Sequence, residues 1–158
     1  MSTRLSIDPA WPKLRMVRRF AAPPQAVFDA WTKPEMIRRW LFTAPDTNTV
    51  LDIDARVGGT WTIGDRRDGV DYTATGEYLE VEIPNKLVFT FAMPQFSPNT
   101  DRITVHIEAD GAGSIMTFTQ EGIDIAAELR QADPDAADSS EQGWSQMFEL
   151  LAALLEEA

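Results

Sequence analysis

Few side chains in this sequence could do chemistry. His106 is the one histidine, and there is no cysteine. A general base needs a tuned proton acceptor beside its substrate. His106 falls on a predicted strand, on the face it shares with Arg102, Thr104 and Glu108, while Ile103, Val105 and Ile107 share the other. The polar face is the solvated one, so His106 reads as a surface residue. That argues against Ser/His/Asp hydrolase triads and histidine metal clusters. The lack of cysteine removes disulfides, thiolate nucleophiles, iron–sulfur clusters and cysteine-ligated zinc. No cofactor or metal is expected, and the domain should keep its fold in a chelator.

Carboxylates are the remaining candidates. Asp52, Asp54 and Arg56 precede Gly58 and Gly59. Two carboxylates could form an acid/base pair. The preferred reading is structural: the glycines make a tight turn, and Arg56 pairs with an aspartate or caps backbone carbonyls. Asp124 and Glu128 read as a solvated loop rather than a metal site. No catalytic residue is named.

The aromatic residues say more. Phe28, Trp31, Trp40, Trp61, Tyr72, Phe89, Phe91, Phe118, Trp144, Met147 and Phe148 come from helical segments and from several strands. Most must be core. A scaffold with a concavity also needs large side chains to line it, so these residues, with Leu151, are the pocket candidates. Trp144, Met147, Leu151, Phe89, Phe91 and Trp61 are preferred among them. Arg38 or Arg39 could anchor an acidic ligand head at an entrance; the alternative is that both face solvent.

The elements that must position these residues follow from periodicity. Leu14 to Phe20 alternates as a strand, with Leu14, Met16, Arg18 and Phe20 on one face. Ala21-Ala22-Pro23-Pro24 opens a short helix whose stripe is Val27, Phe28 and Trp31. Thr32-Lys33-Pro34-Glu35 has the pattern of a capping box for a second short helix, with Met36, Ile37, Trp40 and Leu41 supplying apolar contacts. Strands are then predicted at Thr49–Asp54, Thr60–Gly64, Tyr72–Val81, Lys86–Met93, Arg102–Ala109 and Ser114–Gln120. The intervening turns are Val57-Gly58-Gly59, Arg67-Asp68-Gly69, Ile83-Pro84-Asn85 and Asp110 to Gly113, short enough to require antiparallel pairing. A Pro- and Asp-rich loop, Ala132 to Asp138, precedes a last helix capped at Asp138 or Ser139. Its stripe is Trp144, Met147, Phe148, Leu151, Leu154 and Leu155.

The fold class is therefore α+β, with one curved antiparallel sheet of about six or seven strands wrapped on a long C-terminal helix. A helix is about 10 Å wide, and that many strands at about 4.8 Å spacing are far wider. The helix cannot fill the concavity alone, so a mainly apolar cavity is expected between the two. No linker or repeat divides the chain, and a single domain over 1–158, with its core at about 14–155, is expected.

Composition bounds the partners. The 158 residues carry a formal charge of −11. Residues 1–40 hold eight Lys/Arg against three Asp/Glu, a net of +5, and the remainder six against 22, a net of −16. An acidic surface repels phosphate backbones, which disfavours nucleic acid. No stretch approaches the roughly 20 apolar residues of a membrane span, and the N-terminus lacks a signal-peptide pattern. The expected location is cytoplasmic.

A family resemblance covers about Leu14 to Leu155. It is carried by Arg19-Phe20-Ala21-Ala22-Pro23, Val27-Phe28-Asp29-Ala30-Trp31-Thr32, Pro34-Glu35 with Trp40-Leu41, and Asp54-Ala55-Arg56-Val57-Gly58-Gly59. Gly76-Glu77-Tyr78, Pro84-Asn85-Lys86-Leu87-Val88 and Gly143-Trp144 complete it. In this order and spacing the chain resembles the homologues of the activator of heat-shock-protein-90 ATPase, within the START-like or Bet v allergen-like superfamily. The resemblance implies the helix-grip fold and a cavity that holds small hydrophobic molecules in many relatives. It does not by itself transfer a function. Three readings follow: a module that binds a small apolar or amphipathic molecule, a cofactor-free cyclase or dehydratase, and a chaperone regulator or other protein-interaction module. The first needs only the pocket and is preferred.

Overall fold

The computed structural model describes residues 3–4, 12–131 and 139–156. In chain order the elements are β1 (Thr3–Arg4), β2 (Leu14–Phe20), α1 (Pro24–Thr32), α2 (Pro34–Ile37), β3 (Asn48–Ile53), β4 (Thr60–Arg67), β5 (Val70–Glu82), β6 (Lys86–Phe91), β7 (Asp101–Asp110), β8 (Gly113–Glu121), α3 (Ile123–Gln131) and α4 (Ser139–Glu156). The strands form one sheet in the order β1-β2-β8-β7-β6-β5-β4-β3, antiparallel at each neighbouring pair. Seven strands are of full length and β1 is a two-residue edge. The curved sheet and the long C-terminal helix are those expected from the sequence.

Alternation along the strands sets the inner face, and register aligns it into rows. Met16 pairs with Phe118, Phe118 with Val105 and Val105 with Leu87, all buried. The next row runs Leu14, Gln120, Ile103, Phe89. α4 lays Trp144, Phe148, Leu151 and Leu155 on these rows, and α1 adds Val27, Phe28 and Trp31. Trp31 sits at the centre of the aromatic cluster. Its ring centroid lies 4.7 Å from Trp40, 6.0 Å from Phe89 and 6.3 Å from Trp144. Its indole N–H donates to Met116 Sδ, and that of Trp40 donates to the Ala30 carbonyl. The buried indoles are thus paired, as buried polar groups must be.

The β4–β5 hairpin turns through Asp68 and Gly69, both at positive φ (53° and 78°). This is the Asp-Gly signature of a two-residue hairpin whose twist matches its strands. Gly76 lies near the point where β5 changes partner: pairing with β4 runs to Glu77, and pairing with β6 begins at Tyr78.

Two local expectations are corrected. Thr32 does not cap the second helix. It is the last residue of α1, its hydroxyl donates to the Phe28 carbonyl (3.0 Å), and α2 starts from Lys33 with no side-chain cap. Threonine bonds back to the carbonyl one turn earlier when its own backbone is helical, so the box cannot close. The second correction is α3, which was read as a loop around Asp124 and Glu128. Ile125, Ala126 and Leu129 are buried at helical spacing, and the surrounding charges hid that short stripe. Glu128 accepts from the amide and hydroxyl of Ser140, tying α3 to the start of α4. The loop 132–138, with the cap candidate Asp138, lies outside the described residues; Ser139 is the first residue of α4.

Candidate functional site

The sheet and α4 part company at one end. Where Trp144 and Phe148 meet Phe118, at 4.5 and 5.4 Å between centroids, the interior is packed. Beyond Trp144, towards the start of α4, the helix is too narrow to reach β4 and β5, and a recess of about 520 Å³ opens. Its helical wall is Ser140, Gly143, Trp144, Gln146, Met147 and Leu150. The segment after α2 supplies Trp40, Phe42, Thr43, Ala44 and Thr47. The strands supply Ile63, Asp65, Arg67, Tyr72, Ala74 and Phe91, with Met93 and Gln120.

Of the candidates read from the sequence, Trp40, Tyr72, Phe91, Trp144 and Met147 line this recess. Trp31, Trp61 and Phe89 line a separate gap of about 10 Å³ under α1, the size of about one water. Phe28, Phe118, Phe148 and Leu151 are buried in the packed core and belong to neither wall. Leu151 is fully buried against the sheet while Leu150, one residue earlier, faces the recess. Arg38 and Arg39 are exposed and off the recess wall.

Phe42 was not foreseen. It holds a positive φ of 60°, a conformation that costs a bulky residue roughly 1–2 kcal/mol. Its ring stacks on Phe91 (5.1 Å) and Trp61 (6.1 Å) and meets the edge of Trp144 (5.2 Å). Its amide donates to Met147 Sδ (3.3 Å). These contacts offset the strain and hold an aromatic plate at the rim. A positive φ at a bulky residue is the only signal of such a role, and it is not written in residue type.

The polar groups are few and pinned. β4 alternates Trp61, Ile63, Asp65 and Arg67 onto the inner face. Asp65 is buried. It accepts from the Thr43 hydroxyl (2.9 Å) and the Thr47 hydroxyl, and its other oxygen lies 2.7 Å from Arg67 Nε. The Arg67 guanidinium stands 4.4 Å over the Tyr72 ring. At the opposite wall Gln120 is the one amide in an apolar row. Its oxygen accepts from Trp144 Nε1 (2.9 Å), and its nitrogen donates to Asp101 Oδ2 (2.8 Å).

Asp101 lines a neighbouring recess of about 150 Å³ that shares Phe91, Met93, Gln120 and Ser140 with the larger one. Burial pushes its carboxyl above the usual carboxylate range and the charge of Asp124 adds to that; Gln120 and the amides of Ile125 and Asp124 oppose it. The folded state therefore holds a proton that the unfolded chain, at about 3.9, releases. Between those two values acidification favours the fold. Glu149, held below its usual range by Arg18, works in the opposite sense, so the comparison must be with a neutral side chain at the same site. Relative to Asp101→Asn, the native protein is expected to gain stability as pH falls through the raised Asp101 value. Urea midpoints measured across mildly acidic pH check this, and a difference that does not change with pH would refute it.

The other chemical candidates are placed elsewhere. His106 is exposed on the outer face of β7. Asp52 is exposed, and Asp54 pairs with Arg56 (3.0 Å) at the surface. A Cβ on Gly59 would stand 2.0 Å from the Asp54 carbonyl oxygen, so the glycine serves the turn. Asp124 accepts from Asn99 (2.8 Å). Burial, with the charge of Asp54, raises the Tyr78 hydroxyl above its ordinary range and keeps it protonated. Among the described residues no group of three or more His, Asp or Glu is placed to hold a metal, and no helix is long and apolar enough to cross a membrane.

An open curved antiparallel sheet closed over a long C-terminal helix, with a recess at the end the helix leaves uncovered, defines a domain of the helix-grip class. The sequence matches the family described as activator of Hsp90 ATPase homolog 1-like protein over residues 21–156, and the chain belongs to that family. Solved structures agree. Protein CV1439 from Chromobacterium violaceum is 28% identical with a TM-score of 0.74, over 91% of this chain and 96% of its own. A protein from Rhodobacter sphaeroides is 19% identical with a TM-score of 0.81, over 99% of each chain. Protein Ms6760 from Mycobacterium smegmatis is 24% identical with a TM-score of 0.78, over 99% of each. No curated protein matches the sequence.

Proposed function

We propose that the protein binds a small apolar or amphipathic molecule in the recess between α4, the segment 40–47 and the β4–β5 hairpin. The observation that carries this reading is the recess itself. Its volume of about 520 Å³ falls in the range of roughly 300–1,000 Å³ typical of small-molecule sites. Its wall is mostly aromatic and aliphatic, with a few pinned polar groups that would orient a ligand. The family match and the fold support a binding module without naming a ligand.

Native mass spectrometry of the protein purified from cells tests the reading and identifies a retained molecule by mass. A blocking variant sharpens the test. A Cβ at Gly143 would meet nothing within 4 Å, and Gly143 lies on the recess wall. Gly143→Leu should therefore fill the space, and it should also raise helix stability, since glycine costs roughly 1 kcal/mol inside a helix. Loss of binding without loss of fold is the expected result. Undiminished uptake of an apolar dye by Gly143→Leu would place the ligand elsewhere.

The family description favours one second reading, regulation of a chaperone ATPase through protein contact. A stoichiometric chaperone co-purifying with the chain, with nothing in the recess, would decide for it.

A further inference from the structure

We propose that the ligand of this recess is an amphipathic carboxylic acid whose carboxylate is received by Arg67. This rests on the binding reading above and adds the chemistry of the ligand head.

Among the described residues, Arg67 is the only cation on the recess wall. Two contacts hold its guanidinium: Nε forms an ion pair with the buried Asp65 carboxylate at 2.7 Å, and Cζ stands 4.4 Å from the Tyr72 ring centroid. Asp65 does not depend on its ion pair with Arg67 alone, because the hydroxyls of Thr43 and Thr47 donate to it. The two NH2 groups of Arg67 bond to no other described residue, and the side chain is 57% exposed. A guanidinium held by an ion pair and by a ring face has lost part of its freedom before any ligand arrives. Its N–H donors form a planar fork, the geometry that matches a carboxylate. Such preorganisation lowers the ordering cost of binding.

Charge also sets the direction in which the ligand lies. The neighbouring recess carries Asp124 and Glu128 and would repel an anion. The carboxylate therefore sits at the β4–β5 hairpin, and the apolar body points inward along Phe91 and Trp144. Asp65 has a second use in this arrangement. It neutralises Arg67 in the empty protein, so the recess does not hold an unpaired charge when no ligand is bound.

Titration calorimetry with decanoate and decanol tests the head group separately from the pocket. The native protein should bind both. Arg67→Gln should weaken decanoate about ten- to a hundredfold, the weight of one charge-assisted pair, and decanol by no more than about threefold. Arg67→Lys keeps the charge without the fork, folds with Asp65 still paired, and should recover part of the decanoate affinity. Added salt should weaken decanoate alone. If Arg67→Gln weakens both molecules equally, or neither, the carboxylate assignment is overturned while the pocket stands. If the native protein binds neither molecule, the binding reading and this inference fall together.

Discussion

Trp144→Ala is expected to cost about 3–5 kcal/mol of stability, the range for deleting a buried large aromatic ring. The ring is 3% exposed and packs against several aromatic neighbours. Centroids lie 4.5 Å away at Phe118, 5.2 Å at Phe42, 5.7 Å at Phe148 and 6.3 Å at Trp31. Removing it also strips the Gln120 oxygen of its indole donor (2.9 Å), leaving a buried acceptor unpaired. The loss should exceed what cavity volume alone predicts. Trp144→Phe is the milder test, because it keeps one six-membered ring in the cluster while removing the N–H and the rest of the pyrrole ring. It should cost roughly 1–3 kcal/mol. Equilibrium urea denaturation measures both. A loss under about 1 kcal/mol for the alanine variant would mean that the ring does not join α4 to the sheet. Because Trp144 also forms the inner wall of the recess, Trp144→Ala should enlarge the recess and loosen binding even where the protein remains folded.

Gly76→Ala should be nearly as damaging, by about 3 kcal/mol, at the upper end for an overpacked site. A Cβ there would stand 1.8 Å from the Thr90 carbonyl oxygen and 2.6 Å from Trp61 Nε1. The oxygen is backbone in the adjacent strand and cannot swing aside. The same oxygen accepts the Trp61 indole N–H (3.2 Å), and Thr75 and Ala92 exchange backbone hydrogen bonds beside it (3.0 and 2.9 Å). Glycine is thus required where β5 passes close to β6, beside the stack of Trp61, Phe42 and Phe91. Gly58 is the control. Its φ is +85°, but a Cβ would meet nothing within 4 Å, so Gly58→Ala should cost only about 1 kcal/mol, from backbone conformation alone. Thermal or urea midpoints compare the two, and equal losses would show that backbone conformation rather than contact decides both.

The elements were legible because alternation and helical spacing are local properties. Seven strands and the last helix appear in the sequence as runs whose burial repeats every two or about every 3.6 residues. α3 escaped because its stripe of Ile125, Ala126 and Leu129 is short and crossed by charge. The site was less legible. Trp61 and Phe91, or Leu150 and Leu151, are chemically alike, and nothing in residue type says which faces packed core and which faces a gap. That depends on where a helix about 10 Å wide stops covering a broader curved sheet. Arg67 was hidden for a further reason. The sequence puts the end of the strand at Gly64 and the turn at Arg67-Asp68-Gly69, yet β4 continues to Arg67 and directs Asp65 and Arg67 inward. A buried carboxylate is tolerable there only because Thr43 and Thr47 arrive from a distant segment to bond it.

By itself, then, the sequence determined the order of the seven long strands and the last helix, the antiparallel pairing and the apolar inner face, because each follows from periodicity and turn chemistry within a few residues. Only the tertiary structure decided which aromatic rings line the recess and which polar groups stand in it. Those outcomes depend on distances between segments far apart in the chain, set by sheet curvature and by where the helix ends its cover.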